Sequence, residues 1–233
     1  MNRTRRRAAF AAAPVLLLAV AACSPDAPTD DAKGKPNASA PDGKGRGLSL
    51  REAVGRLKTA AEVRTGYERD KFHLWVDADH DGCDTRKEIL LAEAVKKPRE
   101  GKSCGLTGGS WRSYYDDKTV TDARKLDIDH VVPLAEAWDS GASKWSAERR
   151  ESYANDLGAE RSLVAVSLGP NRTKGDKDPA QWMPPAKDAT CTYLADWVTT
   201  KLRWSLTIDT EERGKLRETA STCANTTVEY EKA

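Results

Sequence analysis

Four side chains in two short segments of this chain have the chemistry that cleavage of a phosphodiester bond requires. The first segment ends in Asp129 and His130, and the second contains Asn171 and Lys174. A phosphodiester repels an attacking water, so its hydrolysis needs a base for the water and a cation for the charge that develops. An imidazole ionises near neutral pH and suits the first task. The sequence therefore predicts His130 as a general base.

The other polar residues of these segments suit metal and phosphate binding. Asp129 and Asn171 offer oxygen atoms, which are the ligands that Mg²⁺ and Mn²⁺ prefer. Lys174 follows Asn171 by about one helical turn, so a helix would direct its charge the same way, and we expect a catalytic role for it in contact with a phosphate. Arg172 and Lys177 lie beside it and are candidate contacts to substrate phosphates. The segments predict a metal-dependent site that acts on nucleic acid.

Both segments resemble the HNH endonucleases, the ββα-metal or His-Me finger family. Residues 126–134 read LDIDHVVPL and residues 171–185 read NRTKGDKDPAQWMPP, and both are similar to segments of secreted actinobacterial HNH proteins. The likeness extends over residues 67–223. It implies an endonuclease with Asp129 and Asn171 as metal ligands and His130 as base. DNA is the expected substrate, with RNA left open, and the lack of a broad basic surface predicts low sequence specificity. A similar GCDTRxxxL segment implies that Thr85 and Arg86 lie near the site, with Arg86 assisting at the phosphate.

One position departs from the family pattern. The middle asparagine of the HNH name usually precedes a leucine on the second strand, where this chain has Ser162 before Leu163. Asn155 is a candidate for its role in holding the loop, and we assign it no chemistry.

A second acidic segment precedes this motif. Asp77, Asp79, Asp81 and Glu88 occupy positions one, three, five and twelve of a calcium-loop pattern, with a glycine at position six. Its eighth position is acidic, where such loops carry an apolar residue, and its seventh is a cysteine. Two interpretations stay open: a Ca²⁺ site, or a carboxylate-rich loop held by a disulfide beside Arg86.

The first 23 residues predict export and anchoring. A head with four arginines precedes an apolar run over residues 8–19, which is too short to span a bilayer, and the sequence VAAC ends at Cys23. This resembles a bacterial lipoprotein signal. We expect cleavage before Cys23, lipidation of that cysteine and anchoring at the extracellular face of the cell membrane, with ordinary secretion as the alternative.

The four remaining cysteines predict two disulfides in an exported protein. Their order favours Cys83 with Cys104 and Cys191 with Cys223 among three possible pairings.

The net charge of the chain is less informative about function. Loss of the four arginines of residues 1–22 leaves 38 − 4 = 34 basic against 36 acidic residues, a net charge of −2. Nucleic-acid binding therefore has to rely on a local basic patch.

The chain divides into a signal peptide (1–22), the lipidated cysteine with a Pro- and Asp-rich tether (23–47) and one domain (48–233). We expect an α+β domain, mostly helical around a small antiparallel hairpin and a ββα-metal motif, and a monomer. Helices are predicted over residues 48–63, with Ser49 as the cap, over 67–75 and over 87–95, and Asp209 with Glu212 predicts a capping box that opens the last helix. Hairpin strands are predicted within residues 120–132 and over 162–167.

Two functions are compatible with these features. The first is a membrane-tethered, metal-dependent endonuclease. The second is a calcium-stabilised binding module of the cell surface that keeps an inactive nuclease fold. The four residues Asp129, His130, Asn171 and Lys174 favour the first, because a binding module does not need them together.

Overall fold

The computed structural model describes residues 47–233, and these form an α+β domain, as predicted. The signal peptide, Cys23 and nearly all of the tether lie outside the described residues. The α-helices are α1 (Leu50–Arg56), α2 (Thr85–Ala92), α3 (Leu134–Asp139), α4 (Ala147–Ala154), α5 (Leu168–Lys174), α6 (Thr190–Trp204) and α7 (Thr210–Ala220). Within residues 47–233, no helix is long and apolar enough to cross a membrane.

The strands are short and form antiparallel pairs. They are β1 (Leu48–Ser49), β2 (Arg99–Glu100), β3 (Leu106–Thr107), β4 (Trp111–Ser113), β5 (Lys118–Val120), β6 (Leu126–His130), β7 (Leu163–Ser167) and β8 (Thr227–Val228). The pairs are β1 with β8, β2 with β3, β4 with β5 and β6 with β7.

The pair β6 and β7 is the predicted hairpin. Asp129 lies opposite Val164 and Asp127 opposite Val166. Because side chains alternate along a strand, Asp127 and Asp129 share one face of β6 and Ile128 lies on the other. Helix α5 begins directly after β7, so the chain runs strand, strand, helix through the residues of the candidate site.

Two apolar clusters support this hairpin from opposite sides. The Ile128 face packs in a cluster with residues of α2 and β4, namely Ile89, Leu90 and Trp111. Val164 and Val166 join the larger cluster, in which α6 contributes Tyr193 and Trp197. The hairpin is thus held between two cores, which fixes the direction of each side chain along β6.

Both predicted disulfides are present. Cys83 is bonded to Cys104, next to α2, and Cys191 is bonded to Cys223, between α6 and the end of α7. The first bridge closes the acidic segment of residues 77–84 against the loop that precedes β3.

Two helix predictions are wrong in part or in full. Ser49 caps α1 through a capping box with Glu52, as expected, but the helix ends at Arg56 instead of residue 63. The chain beyond it is extended, because Ala60 donates its N–H to the Ile208 carbonyl at 3.0 Å. Residues 67–75 contain only a short 3₁₀ turn at Arg69–Lys71.

Candidate active site

Asp129 is the centre of a buried polar cluster at the end of β6. Its Oδ2 accepts a hydrogen bond from the Tyr115 hydroxyl at 2.6 Å and one from Lys174 Nζ at 2.7 Å. Both contacts go to the same oxygen, and Oδ1 makes no hydrogen bond with the residues that the structure describes. One carboxylate oxygen is therefore held in place and the other is available to a ligand.

Lys174 occupies a different place from the one expected. Its side chain is 0 % exposed, and Nζ also donates to the His130 carbonyl at 2.9 Å. It lies on the inner face of α5, so its charge meets the Asp129 carboxylate rather than the surface where a phosphate would bind. Burial raises the pKa of Asp129 and lowers that of Lys174, while their contact opposes both shifts. Lys174 acts on Asp129, and the expectation that it faces a phosphate is wrong.

Asn171 faces the same side of β6. Its Nδ2 donates to Asp127 Oδ2 at 3.1 Å, which directs the amide group and leaves its Oδ1 without a hydrogen bond in the part of the chain described. Asp127 is half-buried. The free oxygens of Asp129 and Asn171, with the carboxylate of Asp127 beside them, are a donor set of hard oxygens. Such a set fits Mg²⁺ or Mn²⁺.

The imidazole of His130 is held in one tautomer by the backbone. Nε2 lies 2.9 Å from the Ala154 carbonyl oxygen at the end of α4. A carbonyl can only accept, so Nε2 carries the proton and Nδ1 carries the lone pair. Nδ1 makes no hydrogen bond within residues 47–233. Nδ1 is thus the atom of the His130 ring that can accept a proton.

His130 is neutral at neutral pH. Burial, together with the positive charges of Arg69 and Lys174, lowers its pKa to about 4, although the bond to Ala154 acts in the opposite direction. A neutral imidazole is the form that a general base needs. The ring lies between two aromatic rings, with centroid distances of 6.0 Å to Trp75 and 6.2 Å to Tyr153.

The other basic side chains predicted to act at the site do not lie beside His130. Arg86 donates to the Leu126 carbonyl at 2.7 Å, at the opposite end of β6, roughly 13 Å along the strand from His130. The structure therefore does not bring Arg86 to the base, because α2 lies across the start of β6. Arg172 is exposed, and Lys177 is exposed with its Nζ 2.6 Å from the Thr173 carbonyl. Both are open to a substrate.

The acidic loop has much of the geometry expected of a cation site. Carboxylate oxygens of Asp77, Asp79 and Asp81 lie within 4.8 Å of one another. Gly82, at the sixth position, has a φ of +96°, and its N–H donates to Asp77 Oδ2 at 3.0 Å. Glu88 lies nearby on α2, and burial together with the charges of this loop raises its pKa.

Three residues of the site were missed from the sequence. Asp127 could have been predicted, because the alternation of Asp127, Ile128 and Asp129 in a strand puts both carboxylates on one face. Tyr115 could not have been predicted, since it reaches Asp129 from the turn between β4 and β5. Arg69 is an exposed cation whose charge reaches His130, and nothing in its local pattern distinguishes it from other surface arginines.

Comparison with known proteins agrees with a site of this kind. Residues 84–219 match the family described as GmrSD restriction endonucleases, C-terminal domain. The chain belongs to this family. The GmrSD C-terminal domain family is nuclease-type, and the matched range includes Asp127, Asp129, His130, Asn171 and Lys174.

A relative from Arthroderma benhamiae is described as an uncharacterized secreted protein. It is 41% identical over 158 residues, which cover 68% of this chain and 76% of the relative. No solved structure matches the chain. The GmrSD C-terminal domain match begins at residue 84, so the carboxylates of the acidic loop at 77–81 precede it.

Proposed function

We propose that this protein is a metal-dependent HNH endonuclease. It hydrolyses phosphodiester bonds of nucleic acid, primarily DNA, with low sequence specificity. The observation that carries the proposal is the state of His130. Its Nε2 proton is engaged by the Ala154 carbonyl, so the Nδ1 lone pair is free on the residue that directly follows the candidate metal ligand Asp129. A histidine kept only for packing does not need a fixed tautomer with a free nitrogen.

Each residue of the site has a separate role. Asp129 and Asn171, supported by Asp127, would hold Mg²⁺ or Mn²⁺, which when bound offsets the negative charge that develops on the phosphate. His130 Nδ1 accepts a proton from the attacking water, and the Ala154 carbonyl stabilises the resulting imidazolium. Lys174 and Tyr115 keep the Asp129 carboxylate in one orientation.

Low sequence specificity follows from the kind of contacts available to a substrate. Arg172 and Lys177 are exposed side chains of the segment that carries Asn171, and Arg69 is an exposed cation whose charge lowers the pKa of His130. Cations of this type contact phosphates, which carry no information about the bases. Because these contacts displace the counterions of the phosphates, binding should weaken as salt is added.

Cleavage of supercoiled plasmid tests the proposal. The purified mature protein should nick the plasmid in millimolar Mg²⁺, lose the activity in EDTA and regain it when Mg²⁺ is restored in excess. Plasmid that stays intact in Mg²⁺ and in Mn²⁺, at a protein concentration at which it is bound, would favour the inactive binding module.

We also propose that the protein is anchored by a lipid on Cys23. The description of the Arthroderma benhamiae relative as secreted supports export. Cys23→Ser should release the protein from the membrane fraction or stall its processing, because stable anchoring then lacks its acyl chains. Fractionation of cells that express each form measures this. A Cys23→Ser protein that is cleaved normally and stays in the membrane fraction would exclude the lipid anchor.

A Ca²⁺ ion in the acidic loop is a separate proposal. Binding to the native state alone should raise the melting temperature as Ca²⁺ is added, and Glu88→Gln should reduce that rise. Glu211→Gln is the control, since Glu211 is an exposed carboxylate on α7, outside the loop pattern. An unchanged melting temperature in millimolar Ca²⁺ would leave the loop as a structural element closed by its disulfide.

A further inference from the structure

Residues 76 and 85 close the acidic loop at its base. The Thr85 N–H donates to the Val76 carbonyl at 3.0 Å, and the Thr85 hydroxyl lies 3.0 Å from the same oxygen. Thr85 is 2% exposed. The two ends of the loop are therefore held together in the protein interior, and Thr85 is the residue that joins them.

Asn155 connects this closure to helix α4. Its Oδ1 accepts from the Val76 N–H at 3.0 Å and from the Thr85 hydroxyl at 2.9 Å. Its Nδ2 donates to the His73 carbonyl at 2.7 Å and to the Glu151 carbonyl at 2.9 Å. All the hydrogen-bonding capacity of the amide is used, so the side chain has one orientation.

The peptide group directly before Asn155 holds the ring of His130. The Ala154 carbonyl, which accepts from His130 Nε2, belongs to the peptide bond that joins Ala154 to Asn155. A peptide bond is planar, so an Asn155 backbone that is fixed by its side chain also fixes the direction of this carbonyl. The position of the His130 ring therefore depends on the contacts of Asn155.

A second contact runs from the same loop to the same ring. Trp75 immediately precedes Val76, and its φ of +60° is in the left-handed region. A bulky residue in this region is strained and needs support from its surroundings. The bond from the Val76 N–H to Asn155 provides that support, and the Trp75 ring lies against His130.

We propose that Thr85 is a positioning residue for His130, acting through Asn155 and the Ala154 carbonyl. The disulfide-closed acidic loop then sets the orientation of the base, although it lies outside the strand-strand-helix motif. The proposal rests on the proposed function, in which His130 is the general base. The new claim is that Thr85 controls the tautomer of the His130 imidazole, and this can be measured without any substrate.

The test compares Thr85→Val, Thr85→Ser and Thr200→Val in the mature protein. Valine keeps the shape of threonine and removes the hydroxyl, whereas serine keeps the hydroxyl. Thr200 is a matched control: it is 1% exposed, and its hydroxyl donates to the Asp196 carbonyl on α6. The readouts are kcat and KM for plasmid nicking and the ¹⁵N chemical shifts of the His130 ring.

We expect Thr85→Val to lower kcat roughly tenfold with KM within about twofold, since a displaced base impairs the reaction more than binding. Its His130 resonances should move towards a mixture of both tautomers. Thr85→Ser should restore both readouts, and Thr200→Val should change neither. If Thr85→Val does not fold, Asn155→Ser gives the same readouts, because it removes the acceptor of the Thr85 hydroxyl.

A single Nε2-protonated tautomer in Thr85→Val, with kcat as in the wild type, would overturn the proposal. Equal losses of kcat in Thr85→Val and Thr200→Val would do so as well, since they would indicate a general loss of stability. Failure of the proposed function has a different outcome. In that case the wild type does not nick plasmid, while the ring resonances still report whether Thr85 controls the tautomer.

Discussion

Replacing His130 with alanine is expected to reduce plasmid nicking by about a hundredfold or more at neutral pH. The reason is that Nδ1 of this ring is the proton acceptor for the attacking water, and the variant has no other group in its place. His130 is neutral at this pH, since burial lowers its pKa to about 4, so the wild type does not first have to lose a proton. Gel-based nicking rates at saturating Mg²⁺ measure the effect.

His73→Ala is the matched control for this variant. The His73 side chain is 72% exposed and contacts Glu151 at 2.9 Å on the surface, away from Asp129 and Asn171. Its loss should leave the nicking rate within about twofold, in line with the small effects of surface substitutions. Circular dichroism should show both variants folded. A folded His130→Ala protein with near-normal activity would remove His130 from the role of base.

Asp129→Asn is expected to abolish Mg²⁺-dependent nicking and to destabilise the domain. The amide keeps the shape of the carboxylate and an oxygen for Tyr115, but it loses the charge that favours a divalent ion. It also leaves Lys174 buried without an anionic partner, and breaking a buried pair in this way costs about 3–5 kcal/mol. Urea unfolding and a titration of nicking rate against Mg²⁺ measure the two effects separately.

Asp196→Asn separates loss of stability from loss of the site. Asp196 is also a buried aspartate whose Oδ2 accepts from a tyrosine hydroxyl and a cation, here Tyr114 at 2.9 Å and Arg161 at 3.0 Å. The side chains of Asp129 and Asp196 are each 7% exposed. We expect the free energy of unfolding to fall in both variants, less in Asp196→Asn because Arg161 is 35% exposed whereas Lys174 is 0% exposed. Nicking should be lost only in Asp129→Asn. Equal nicking by the two folded variants would show that Asp129 is not part of the site.

Much of the fold around the site could be predicted because local patterns decide it. Ser49 and Asp209 cap α1 and α7, as their positions before helical patterns indicated. The apolar run before Ser167 forms β7, and the order of the cysteines gave the two bridges that are observed. Each of these features depends on neighbours in sequence or on short loop closures.

The helix predicted at residues 67–75 did not form, because its aromatic residues make tertiary contacts that the helical spacing does not require. Phe72 and Tyr67 pack their rings on Trp138 from a loop, with centroid distances of 6.4 and 6.1 Å. Aromatic side chains are long enough to reach a core from irregular backbone, so their spacing is a weak indicator of helix.

The sequence by itself predicted the residue types of the candidate site, namely Asp129 and His130 on strand β6 and Asn171 on helix α5. Tertiary structure decided what each of them contacts. Tyr115 and Lys174 hold the Asp129 carboxylate, and the Ala154 carbonyl selects the tautomer of His130.

The physical reason is the range of the interactions. Alternation along a strand and the pitch of a helix fix where a side chain points relative to its own element. The partner of a buried charge or of a ring nitrogen comes from whichever segment the packing of the two cores brings within hydrogen-bonding distance. For Lys174 this partner was a carboxylate 45 residues earlier in the chain, a contact that no pattern within α5 specifies.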